Sequence, residues 1–202
     1  MQFQRFLKRQ MDIWVPLASL VVFAIPFLVI AVLIKLESPG PVFFLQERLG
    51  KDGKIFKMFK FRSMVQGAAT MGAGLEVVKD DPRVTRIGKF LRRTRFDEYP
   101  QLFQVLLGQM SLVGPRPAFS HHLEKYTEEE KRRLSVRPGF TNMDILKGGN
   151  TLSWPERIRW DLWYIDHWSL WLDIKIILGS FMVVLTGEDE EGGVKGIVED
   201  YK

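Results

Sequence analysis

The 202-residue sequence contains no cysteine. That absence excludes disulfide-stapled scaffolds, Cys-based zinc sites, iron–sulfur clusters and thiolate nucleophiles. Histidine is scarce: the three present, His121, His122 and His167, form no metal-spaced cluster with nearby carboxylates. Glycine is not lacking, but no strand–turn–helix context makes Gly67–Gly74 a nucleotide-binding fingerprint, and it reads as a mobile small-residue loop. No internal repeat is present. Helix-turn-helix, RNP and zinc-finger patterns are also missing, which demotes nucleic acid as a partner for the basic residues. A 46% hydrophobic share is too high for a disordered chain, and the length suits one domain with appendages or two very small ones.

Charge itself is missing from Ile13 to Ile34, a run of 22 residues. As one helix this run would measure about 33 Å, close to the thickness of a bilayer core. It exceeds an ordinary signal-peptide h-region, and no A-x-A cleavage site follows. Two arrangements remain, a spanning helix and a helix that enters the membrane, bends and returns. Pro26 cannot donate a backbone N–H, so the helix should kink or break there. Arg5, Lys8 and Arg9 precede the run and Lys35 follows it. Positive charge on both flanks draws both ends to the cytoplasmic face and favours the re-entrant arrangement, with Lys8 and Arg9 at the membrane surface.

The remaining charge is unevenly placed. Arg48–Arg95 holds 13 Lys/Arg against 4 Asp/Glu, whereas the overall net charge is only +5. A basic block beside a membrane segment suits anionic headgroups or a phosphorylated ligand. Five of the six tryptophans lie within Trp154–Trp171, Trp160 and Trp163 among them, interleaved with Arg and Asp. That pattern fits a helix at headgroup level, and equally an aromatic-rich core or partner interface. Ser153-Trp-Pro-Glu156 has capping-box spacing and predicts a helix start, Thr127-x-x-Glu130 predicts another, and Ser169–Leu185 reads as a further helix. Pro41–Gln46 and Ile55–Met64, joined by Gly50–Gly53, predict a β-hairpin. Arg83–Arg93 and Tyr99–Leu107 predict short helices.

The densest chemical constellation is Arg92-Arg-Thr-Arg-Phe-Asp-Glu-Tyr-Pro-Gln101. Asp97 and Glu98 stand just before an expected helix start, where backbone N–H groups would favour a carboxylate or a bound phosphate. Two adjacent carboxylates can also reach one metal ion. The bland alternative is a helix cap plus a solvated Glu. Arg116 lies between Pro115 and Pro117, and Arg137 precedes Pro138. Such arginines are held in direction at little extra entropic cost and suit bidentate contact with phosphate oxygens. Lys60 and Arg62, interleaved with aromatics in the second expected strand, and Arg92 extend the candidate phosphate-binding set.

Lys8-Arg9-x-x-Asp12, Phe59-Lys-Phe-Arg-Ser-Met64, Asp97-Glu-x-Pro-Gln-Leu102, Gly108-x-Met-Ser-Leu-Val-Gly-Pro-Arg-Pro117 and Val136-Arg-Pro-Gly139 occur in that order. The ordered set, covering about Phe3–Thr186, resembles the bacterial sugar transferases, or monotopic phosphoglycosyl transferases, in their small form. The resemblance implies transfer of a phosphosugar from a UDP-sugar to polyprenol phosphate with release of UMP, at the cytoplasmic face of the bacterial inner membrane. It implies Asp97 as nucleophile, Glu98 as its helper, Mg²⁺ bound by both, and a role in starting O-antigen, capsule or exopolysaccharide assembly. Two departures stand out. Ile25 rather than Ser precedes Pro26, and Phe140–Gly149 differs from the usual stretch, with Ile145 and Gly149 where Gln and Arg are customary. A catalytically degenerate member that binds lipid or a partner protein is therefore the alternative.

The resulting expectation is an α+β fold, a mostly helical compact core with a small β-hairpin and interfacial amphipathic helices. Its parts would be a re-entrant membrane helix-break-helix at 1–36, a cytoplasmic-face catalytic core at 37–187 and an acidic C-terminal tail at 188–202. The sequence leaves the sugar and the oligomeric state open, a homo-oligomer included.

Overall fold

The computed structural model describes residues 2–71 and 81–186; the expected acidic tail and the end of the Gly67–Gly74 loop lie outside them. In chain order the regular elements are α1 (Gln2–Val22), α2 (Ala24–Glu37), β1 (Phe43–Leu49), β2 (Ile55–Phe61), α3 (Arg86–Arg93), α4 (Gln101–Leu106) and β3 (Ser111–Val113). There follow α5 (Glu128–Lys131), β4 (Gly139–Thr141), α6 (Asp144–Lys147), α7 (Trp154–Asp166) and α8 (Leu170–Thr186). The fold is mixed α/β, mostly helical with two small sheets.

The apolar run is broken, but at Phe23 rather than at Pro26, and α1 and α2 meet there at a bend of 64°. Proline clashes with the carbonyl four residues before it and offers no N–H to that carbonyl. For Pro26 that residue is Val22, so α1 ends at Val22 and Pro26 falls in the first turn of α2, where no N–H is required. No single described helix is long and apolar enough to cross a membrane. Instead α2 exposes Ile25, Leu28, Val29, Val32 and Leu36.

The described chain forms two compact units. In the unit made of Ala18–Gln46 and Met58–Gln101, α2 packs on α3, and Ile30, Ile34, Phe61 and Leu91 form a core flanked by Phe27, Val42, Ile87 and Phe96. The start of α3 is satisfied twice. Thr85 Oγ1 accepts from Gly88 N at 2.9 Å, and the Glu37 carboxylate at the end of α2 accepts from Arg86 N at 2.7 Å. Gly88 is required by contact: a Cβ there would lie 1.9 Å from the Ser63 carbonyl oxygen. The expected helix at Arg83 therefore begins only after the Thr85 cap.

The other unit comprises residues 1–17, 47–57 and 102 onward. Its core joins Leu49, Ala118, Tyr126 and Ile158, with Leu134, Trp154 and Leu162 packed against them. Both expected capping boxes are formed, Thr127–Glu130 at α5 and Ser153–Glu156 at α7. The hairpin β1–β2 is present, with Asp52 in the left-handed region at its turn. A second sheet escaped the sequence pattern: β3 and β4 pair in parallel, Ser111 opposite Gly139 and Val113 opposite Thr141. Three-residue strands are too short to show a period. Their approach demands glycine, since a Cβ on Gly139 would meet Gly114 N at 2.2 Å.

The basic residues before the apolar run make specific bonds to the protein. Lys8 Nζ donates to Asp173 Oδ2 at 2.6 Å and to Val113 O at 2.9 Å. Arg9 donates to the α4 carbonyls of Val105 and Leu106 at 3.0 and 2.8 Å, satisfying that helix end. Asp12 is buried and accepts from Ser111 Oγ and Leu112 N. The motif Lys8-Arg9-x-x-Asp12 thus fastens the first turns of α1 to the protein, through residues three and four apart on one helix face.

Asp173 is 1% exposed and also accepts from Tyr164 Oη at 2.7 Å and Trp168 Nε1 at 3.2 Å. Asp173→Ala strips three donors of their acceptor at once and should lower stability by about 3–5 kcal/mol. A large fall in thermal midpoint in detergent, against a small one for a surface control such as Glu128→Ala, checks this.

Candidate active site

Asp97 and Glu98 do not cap a helix. They form a separate 3₁₀ turn, Phe96–Glu98, and α4 starts only at Gln101. Arg95, directly before the turn, has φ 57°, a left-handed conformation uncommon for a side chain of its size. Tyr99 keeps right-handed helical angles, and its N–H closes the turn on Phe96 O at 3.2 Å, but Pro100 has no N–H to carry the ladder on, which separates the turn from α4.

Aromatic packing fixes the turn. Phe96 and Tyr99 stack with ring centroids 4.8 Å apart, and Phe23, the residue at the helix break, meets them edge-on at 5.7 and 5.6 Å. Tyr99 Oη donates to Ser19 O at 2.7 Å and lies 2.8 Å from Ser19 Oγ. Phe96 and Tyr99 flank the two carboxylates in sequence, so the bend of the apolar helices holds both sides of the acidic pair.

Cations surround the pair. Lys60 Nζ binds Glu98 Oε1 at 2.5 Å. Arg92, one turn beyond Gly88 in α3, donates from Nε to Ser63 Oγ at 2.9 Å, so the close approach that requires Gly88 also directs Arg92. Asp97 is partly exposed, and its carboxylate accepts no hydrogen bond from the described residues. Burial and the adjacent Glu98 charge push it up to about 6, against the opposing pull of Lys60, Arg92 and Arg95. Above that pH it is a carboxylate more basic than usual and free of protein donors, which suits both nucleophilic attack and metal binding. Among the described residues no group of three or more metal-binding side chains occurs. Mg²⁺ is commonly held by one or two carboxylates together with substrate phosphates, so Asp97 and Glu98 fit that ion.

The other candidates separate into groups. Lys60 and Arg92 join Asp97 and Glu98. Arg62 belongs to the same unit but closes the end of α2, its guanidinium donating to Ile34 O, Ser38 O and Pro39 O, the last two at 2.7 Å. Arg116 and Arg137 lie in the other unit, carried by the loops that the β3–β4 pairing brings side by side through Gly139 N to Pro115 O at 2.9 Å. Arg137 is exposed, and neither guanidinium has a hydrogen-bond partner among the described residues. Trp160 and Trp163 are half-buried and meet edge-on at 6.0 Å, with Lys147 Nζ 4.5 Å over Trp160. Sequence reasoning missed Arg95, Ser19 and Tyr99. The only available signal was their place around the acidic pair and the apolar run, because a left-handed Arg and an 80-residue hydrogen bond have no local pattern.

The family model described as "Bacterial sugar transferase" matches residues 3–187. The chain is 45% identical over 188 residues to the UDP-glucose:undecaprenyl-phosphate glucose-1-phosphate transferase of Klebsiella pneumoniae, covering 89% of this chain and 40% of that protein. It is 44% identical over 191 residues to the exopolysaccharide production protein PSS of Rhizobium leguminosarum bv. phaseoli, covering 89% and 96%. Identity to the galactosyl transferase CpsE of Streptococcus agalactiae serotype III is 41% over 191 residues, covering 89% and 42%. The chain thus spans about two fifths of several relatives and nearly all of others.

Tyr99→Phe removes the hydroxyl that reaches Ser19 and keeps the ring contacts. It should cost about 1 kcal/mol of stability and speed amide exchange at Phe96–Glu98 more than in α7. Hydrogen exchange read by mass spectrometry tests this, and uniform exchange changes across both segments would contradict it.

Proposed function

The chain belongs to the bacterial sugar transferase family, and from that premise we propose that it transfers a phosphosugar from a UDP-sugar to polyprenol phosphate. The observation that carries the reading is Asp97: a carboxylate of raised basicity, without a protein hydrogen bond, among Lys60, Arg92 and Arg95 on a turn clamped to the helix break. Named relatives act on undecaprenyl phosphate with glucose, galactose or N-acetylgalactosamine as the sugar.

In the first step an Asp97 oxygen bonds to the sugar-bearing phosphorus. The bond from that phosphorus to the bridging oxygen breaks, and UMP leaves with the electron pair. In the second step a phosphate oxygen of polyprenol phosphate attacks the same phosphorus, the Asp97–phosphorus bond breaks, and the carboxylate is restored. Lys60 and Arg92 lower the cost of bringing a carboxylate to an anionic phosphate. Glu98, held by Lys60, supports Asp97 and the acceptor. Mg²⁺ held by Asp97 and Glu98 would neutralise phosphate charge.

Placement at the inner membrane follows from the same reading. The bent pair α1–α2 and the apolar residues it exposes fit a segment that enters the cytoplasmic leaflet and returns. Phe181, Leu185 and Trp171 on α8 add exposed apolar surface suited to the interface.

A panel of UDP-sugars with undecaprenyl phosphate and Mg²⁺ should give UMP release for at least one sugar. Chelation should abolish it, and Asp97→Asn should lower it at least about a thousandfold. Full turnover by Asp97→Asn removes Asp97 as nucleophile. UDP-sugar binding without UMP release across the panel would favour the degenerate member.

A further inference from the structure

One basic surface takes no part in the proposed chemistry. On its inner side α3 packs Ile87 and Leu91 into the core with Ile30 and Ile34 of α2. Arg86, Lys89, Phe90 and Arg93 recur at the three- and four-residue spacing that places them on one helix face. All four are exposed, Phe90 at 50%. The side chains of Arg86, Lys89 and Arg93 have no ion pair or hydrogen-bond partner among the described residues. Lys35, exposed in the last turn of α2, likewise has none. By contrast, Arg62 of the same unit serves three carbonyls, and Arg92 turns to Ser63. An exposed ring among cations without protein acceptors calls for a partner that is both anionic and apolar.

The end of α2 fixes where this face stands. Glu37 accepts at Oε1 from Arg86 N at 2.7 Å and at Oε2 from Ile87 N at 3.1 Å, so the first turn of α3 is bonded to the last residue of α2. The 14 residues of α2 measure about 21 Å, enough to climb from within one leaflet to its headgroups. In the re-entrant arrangement the bend at Phe23 lies deepest and Glu37 returns to headgroup level, which brings the start of α3 there as well. We propose that α3 is a docking helix for anionic lipid: Lys35, Arg86, Lys89 and Arg93 meet headgroup phosphates, and Phe90 enters the apolar boundary between them. The docking helix rests on the membrane placement given above, and on no step at Asp97. A nucleic acid would satisfy the cations but offers no apolar layer to Phe90 or to Val32 and Leu36, exposed on α2. Because α3 also carries Arg92, the face that grips the headgroups holds the helix that brings a cation to the site.

The lack of cysteine allows a single reporter to be placed at will. Phe90→Cys and, separately, Leu28→Cys are labelled with a small fluorophore in the full chain. Each is reconstituted in nanodiscs of phosphatidylcholine, alone or mixed with phosphatidylglycerol, and quenching by a nitroxide on the lipid acyl chains reads contact with lipid. The Leu28 label should be quenched in both discs. The Phe90 label should be quenched severalfold more in the anionic discs, and raised salt should remove that difference. Arg86→Gln/Lys89→Gln/Arg93→Gln should abolish the difference while Leu28 quenching persists. With phosphatidylglycerol as titrant, each single replacement should move the quenching midpoint about fivefold higher. Equal Phe90 quenching in both discs beside a quenched Leu28 label overturns the docking helix alone and leaves its face to a soluble acidic partner. An unchanged difference in the triple variant overturns it too. An unquenched Leu28 label removes the membrane placement, and the docking helix with it. The lipid and salt comparisons need no charge variant, so a triple variant that fails to fold leaves the test intact.

Discussion

The contact between the helix break and the acidic turn is the constraint on which the candidate chemistry depends. Pro26 denies Val22 its helical partner, the chain turns at Phe23, and the Phe23 ring meets Phe96 and Tyr99 on either side of Asp97 and Glu98. Tyr99 adds a hydroxyl bond to Ser19 on the other side of the break. A carboxylate that must approach an anionic phosphate needs a fixed position, because misplacement by an ångström forfeits most of the benefit of proximity. Here that position is referred directly to a segment that exposes Ile25, Leu28, Val29, Val32 and Leu36. The site and the proposed acceptor, a lipid phosphate, are therefore referred to one structural feature.

The abundant positive charge is divided among several roles. Some cations satisfy helix ends: Arg9 takes the last carbonyls of α4, and Arg62 takes those of α2. Some are buried in ion pairs that brace loops, as Arg133 does with Asp161 behind Arg116. A smaller set meets the carboxylate pair, with Lys60 on Glu98 and Arg92 directed by Ser63. A basic patch by composition is thus divided between structural contacts and the cations that meet the carboxylate pair. Arginine suits the structural positions because its fork can serve several carbonyls at once while remaining charged.

Much of the local structure was legible. The capping boxes at Thr127 and Ser153, the hairpin turn and the long apolar run each announce themselves through residues three or four apart, or through composition, and the structure contains them all. The break in the run was legible as an event but displaced by three residues, because proline acts on the carbonyl before it. The acidic pair was legible as a candidate, but not its 3₁₀ setting, since Arg95 in a left-handed conformation is a local strain held by its surroundings. The protein acceptors of Lys8, Arg9 and Arg62 were not legible, because a sequence cannot tell a solvated cation from one that closes a helix end or pairs with a buried carboxylate.

Residue order by itself determined the family, the apolar segment, the absence of thiol chemistry and the identity of the acidic pair, since each depends on residue type and short spacing. Tertiary structure alone decided which cations reach which carboxylates. It also paired the Gly-Pro-Arg-Pro loop with the Val-Arg-Pro-Gly loop through two three-residue strands, set Asp144 against Arg157, and put Asp161 and Arg133 on the Arg116 backbone. The physical reason is that charge and hydrogen-bond pairing act over a few ångströms, whereas the partners here lie 13 to 165 residues apart in the chain.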